Sequence, residues 1–120
     1  METKTGKIKW FVIENDWLQR GHSQFGWGNG YAAIPKGHKC YGMDYNEIHN
    51  SFDDVINVNG GLTFSSSEKT IERWSVPDDC KGHWIVGFDT CHYGDTLSRW
   101  PKEAVEREAQ KLAEQLESIE

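Results

Sequence analysis

At 120 residues and 37% apolar content, the chain has room for one hydrophobic core and not two. A formal net charge of −6 argues against a duplex nucleic-acid binder, which needs a basic face to displace counterions. No apolar run approaches the roughly 18 residues of a membrane-spanning helix, and three cysteines with neither a C-x-x-C pair nor a signal peptide read as reduced thiols of a cytoplasmic protein.

The acidity is uneven: over residues 101–120, Glu outnumbers Lys and Arg six to three. A local basic pocket for a small anion therefore stays compatible with the rest of the chain. Six Trp, five Phe and four Tyr carry much of the apolar surface. Each ring buries about 150–250 Å², so a few of them close a core in a glycine-rich chain.

In chain order, residues 7–14 are rich in aromatic and β-branched types and predict a first strand. A short helical turn or loop is expected over 15–20, holding Trp17 and Leu18. A Gly-rich loop carrying His22, Phe25 and Trp27 then runs through Gly30. Tyr31–Ile34 predicts a second strand ending at Pro35, and residues 35–38 a turn. Residues 44–50 predict one helical turn, with Asp44 as N-cap and Glu47 as its capping-box partner. Asp54–Asn59 alternates imperfectly and predicts a strand, interrupted at Gly60-Gly61 and resumed over 62–65. Ser65–Lys69 reads as a polar loop tip.

Residues 83–88 are the most apolar run and predict a central strand, followed by a loop over 89–99. A final helix starts at Pro101, where a missing N–H is harmless. Val105, Ala109, Leu112, Leu116 and Ile119 recur at alternating spacings of four and three, a narrow apolar seam. That seam either covers the sheet or joins a second copy of the chain, making a homo-oligomer through the C-terminal helix. The expected fold is α+β: one domain over 1–120, with a small, mostly antiparallel sheet and Gly-rich loops at 7–99. One amphipathic helix at 101–118 completes it.

Three segments carry candidate chemistry. In Gly60-Gly61-Leu62-Thr63-Phe64-Ser65, consecutive glycines admit close approach of a ligand, and the hydroxyls of Thr63 and Ser65 could donate to phosphate or ribose oxygens. The same residues suit a tight turn or bulge with its polar groups in water. Asp89-Thr90-Cys91-His92-Tyr93-Gly94-Asp95 follows a strong strand. Asp89, His92 and Asp95 could form an acid/base set, bind a divalent ion, or simply hydrogen-bond the loop. The rings of Trp27 and Tyr31 could stack on a nucleobase or sit in the core. No G-x-x-x-x-G-K-[ST] or G-x-S-x-G motif is present.

The segments at 30–38, 41–45, 60–65 and 84–95 occur in one order that resembles a family of short proteins of bacteriophage and prophage genomes. That family carries Gly-Tyr-x-x-x-Pro-x-Gly-His, His-Gly-Gly-Leu-Thr-Phe/Tyr-Ser and Gly-Phe-Asp-x-x-His-x-Gly-Asp motifs. The resemblance covers about residues 28–118. Where the family pattern has His before the glycine pair, this chain has Asn59, which hydrogen-bonds but cannot act as a general base. The resemblance implies a phage accessory protein of the host cytoplasm. From that context, and from a glycine turn with hydroxyls for phosphate and ribose and rings for a base, the expectation is capture, without turnover, of a nucleotide-derived immune messenger of the cyclic nucleotide or ADP-ribose type. Trp27, Tyr31, Gly60, Gly61, Thr63, Ser65, Asp89 and His92 would line the site, with no cofactor and no metal. A small hydrolase using Asp89, His92 and Asp95, or an inhibitor docking on a host enzyme through its acidic helix, are the alternatives.

Overall fold

A computed structural model describes residues 8–15, 25–67, 77–92 and 94–119. Four strands, β1 (Lys9–Glu14), β2 (Gly28–Ile34), β3 (Phe64–Ser67) and β4 (Trp84–Phe88), form one antiparallel sheet in the order β1-β2-β4-β3. Two α-helices, α1 (Tyr45–Ser51) and α2 (Lys102–Glu117), and a 3-10 turn at Asp78–Cys80 complete the described elements. The fold is α+β, as the composition and strand patterns predict. No helix of the described residues is long and apolar enough to cross a membrane. Residues 16–20 of the turn expected over 15–20, and His22, Lys69 and Tyr93, lie outside the described residues.

Strand alternation sends side chains to opposite faces of the sheet, and both faces hold buried apolar residues. Trp10, Ala32, Ile34, Val86 and Phe88 face α2. Phe11, Tyr31, Ala33 and Ile85 occupy the reverse face with Cys80. The α2 seam goes to the first face: Val105, Ala109, Leu112 and Leu116 are fully buried, and Ile119 nearly so. Exposed positions of α2 are polar, among them Arg107, Gln110 and Glu114. The seam is therefore spent within the chain, and self-association through it, the other expectation, has no apolar stripe left to use.

Both helix starts follow local chemistry. Asp44 accepts from the Asn46 N–H at 3.1 Å while Glu47 accepts from the Asp44 N–H at 3.1 Å, closing the expected capping box. Pro101 precedes α2 and accepts from the Ala104 and Val105 N–H groups.

Three expectations change. The strand β2 begins at Gly28 rather than Tyr31, because its glycines leave room for neighbours. A Cβ on Gly28 would meet the Ile13 carbonyl, and one on Gly30 would meet the Phe88 ring. The supposed loop tip at Ser65–Lys69 is part of β3 as far as Ser67. Residues 54–59 form no strand, although Ile56 and Val58 are buried in alternation. Their neighbour is a helix side chain and not another strand. The Asn57 N–H donates to Gln115 Oε1 at 3.1 Å, Gln115 Nε2 donates back to the Asn57 carbonyl at 3.1 Å, and the Asn59 N–H donates to Glu108 Oε2 at 2.8 Å. These side chains satisfy backbone groups that a ladder would otherwise take.

Candidate functional site

Two turns meet at the end of β4. In the first, the Gly61 N–H donates to the Val58 carbonyl at 2.9 Å, with Gly60 at φ 71° in the third position. In the second, the Asp95 N–H donates to the His92 carbonyl at 2.9 Å, with Gly94 at φ 91°. Glycine reaches that backbone region without steric penalty. The turns abut so closely that a Cβ on Gly60 would run into the His92 imidazole.

Side chains lock the pair. His92 Nδ1 lies 3.0 Å from Asp95 Oδ2 and Nε2 lies 3.3 Å from Asp89 Oδ1. Asp95 Oδ2 also accepts from the His92 N–H and from Asn59 Nδ2, each at 3.0 Å. Asn59 Nδ2 lies 3.4 Å from the Asp89 carbonyl as well. Asp89 Oδ1 accepts from the Cys91 N–H at 3.1 Å, and its Oδ2 from Thr63 Oγ1 at 3.1 Å. The Asp95 side chain is 8% exposed, whereas His92 and Asp89 are each 34% exposed. A buried carboxylate thus orients a half-exposed imidazole beside a half-exposed carboxylate.

The underside of the loop is bolted to β2. The buried Thr90 hydroxyl donates to the Gly28 carbonyl at 2.6 Å and the Gly26 N–H donates to the Thr90 carbonyl at 2.9 Å. Asn15 Nδ2 reaches the Gly26 carbonyl at 3.4 Å and Cys91 Sγ at 3.1 Å. Burial pushes the Cys91 thiol above its ordinary value, partly offset by that Asn15 contact.

Of the eight residues picked from the sequence, Gly60, Gly61, Thr63, Asp89 and His92 come together in this cluster. Ser65 does not. It accepts from the Tyr45 N–H at 2.9 Å and donates to Asp44 Oδ1 at 3.2 Å, at the start of α1. Tyr31 is 2% exposed on the reverse face, stacked on Phe11 with centroids 5.2 Å apart and edge-on to Phe64 at 5.7 Å. Burial drives its hydroxyl well above the ordinary phenol range, and no base can stack on it. Trp27 is half-buried against the α2 side of the core, with Lys102 Nζ 5.8 Å from its ring centroid. The Trp27 backbone N–H donates to the Trp100 carbonyl at 2.8 Å.

Asn59 and Glu108 are the residues that site selection from sequence passed over. Asn59 stands directly before the glycine pair in the turn, a position from which a short amide can reach across to a neighbouring loop. Glu108 carries no local signal. Among the described residues no group of three or more His, Cys, Asp or Glu side chains is arranged to hold a metal ion. Both ring nitrogens of His92 face carboxylates. No family model, no curated protein and no solved structure matches the chain.

Proposed function

We propose that the protein is a phage accessory protein of the host cytoplasm that binds and sequesters a nucleotide-derived signalling molecule of bacterial defence. The observation that carries this reading is the meeting of Gly60 with His92 and of Thr63 with Asp89, two motif segments far apart in sequence, on one partly exposed surface. Such a surface offers fixed polar contacts for a small ligand. Asn59 stands at the centre of the network where the resembled family has His, which suits retention better than turnover. Tyr31 drops out of the ligand-contacting set because it is buried, and Ser65 because it serves α1. Isothermal titration against cyclic dinucleotides, cyclic ADP-ribose isomers and ADP-ribose tests the reading. Saturable heat from at least one ligand, lost in Asp89→Ala, is expected; silence across the panel sinks it.

A hydrolase is the second reading, favoured by the contact between buried Asp95 and His92 Nδ1, the arrangement that orients a general base. For that chemistry Asp89 must first leave Nε2. Ligand recovered intact after incubation and heat denaturation excludes the hydrolase for that ligand.

A further inference from the structure

Resting on the sequestration reading, we infer that the group meeting the Thr63–Asp89 surface is a vicinal diol, such as the 2′,3′-hydroxyls of a ribose, and not a phosphate. The inference follows from where the hydrogens go. The Thr63 hydroxyl, the donor that a phosphate would use, is given to Asp89 Oδ2. The Thr63 N–H goes to the Gly87 carbonyl and the Gly61 N–H to Val58. The Cys91 and His92 N–H groups go to Asp89 and Asp95, and the Asn59 amide nitrogen goes to Asp95. Both nitrogens of His92 face acids.

Of the Thr63 and Asp89 side chains, what stays open to water is acceptor: lone pairs of Asp89 and of the exposed Thr63 oxygen, 3.1 Å apart. An approaching phosphate would add a third anion beside Asp89 and Asp95 and find these donors already engaged. Two adjacent hydroxyls supply two donors at a spacing that suits two adjacent acceptors. Bonds to a carboxylate are the stronger kind. The ligand's phosphates then lie away from this end of the sheet.

The test is titration of the full chain with three probes: ADP, 2′,3′-dideoxyadenosine diphosphate and inorganic pyrophosphate. Binding of ADP, with loss of about tenfold or more for the dideoxy compound and no competition from pyrophosphate, is expected. Thr63→Val, which removes the acceptor but keeps the shape, should weaken ADP about tenfold and leave the dideoxy probe unchanged. Asp89→Asn should lower the preference for the diol and admit pyrophosphate. An unchanged denaturation midpoint shows that either variant is folded. Equal binding of the first two probes, or displacement by pyrophosphate, overturns the diol assignment while sequestration stands. Silence from all three also overturns it, and sequestration falls as well only if the wider ligand panel is silent.

Discussion

Gly60 and Gly61 sit side by side at φ 71° and 80°, yet they differ in surroundings. A Cβ at 61 meets nothing within 4 Å, while one at 60 strikes the His92 ring. Gly61→Ala should therefore cost about 1 kcal/mol, the backbone penalty alone. Gly60→Ala should cost about 2–3 kcal/mol and displace His92. Urea denaturation midpoints of the two variants measure the difference. At Cys80, burial pushes the thiol up to about 12 from an ordinary 9.0, with Asp79 raising it further. The unfolded chain releases this proton first, so the folded state holds more protons above pH 9. The contribution is complete below that pH and disappears as pH climbs through about 12. Cys80→Ala should flatten the alkaline side of the stability profile between those limits, as read by denaturation at stepped pH. The Tyr31 hydroxyl, also raised by burial, acts in the same direction.

At the scale of elements, the start of α1 was readable because its capping box is written within four residues, and that of α2 because Pro101 marks it to within one residue. Asp44→Ala should cost about 1–2 kcal/mol by removing the capping box and the partner of Ser65, measured as a loss in denaturation midpoint. The segment at 54–59 was not readable for the opposite reason. Its alternation is genuine, but its partner is Gln115, on the last helix, and no local pattern reports that. Strand β2 was clipped because Gly28 and Gly30 look like loop residues until Ile13 and Phe88 are placed against them. The same limit applied to the site. Each loop was legible as a motif; that Asn59 joins them through Asp95 and reaches α2 through Glu108 depends on tertiary placement. Asn59→Asp sets a third carboxylate against these two and should destabilise by about 1–3 kcal/mol, more than Asn59→Ala. The gap between the two variants should narrow in high salt, by which screening can be distinguished from lost packing.

For the molecule as a whole, the periodicity of α2 gave the seam but left its destination open, since a sheet and a second helix want the same stripe. Burial of Leu112 and Leu116 against β1 and β2 decides it. Leu112→Ala should cost about 2–5 kcal/mol, and the unfolding midpoint should not vary with protein concentration, as it would for a seam shared between copies. The strand order has a further consequence for synthesis. Because β4 lies between β2 and β3, its pairing of Gly30 with Phe88 and Phe64 with Gly87 joins parts made at quite different times. A nascent chain that has emerged only to residue 83 can form the hairpin of β1 with β2, but β3 has no described strand to dock on. Assembly of the sheet and of the surface at its end therefore waits until residues 84–88 have been made, a long exposure of the earlier strands in which ribosome-bound chaperones would have most to protect.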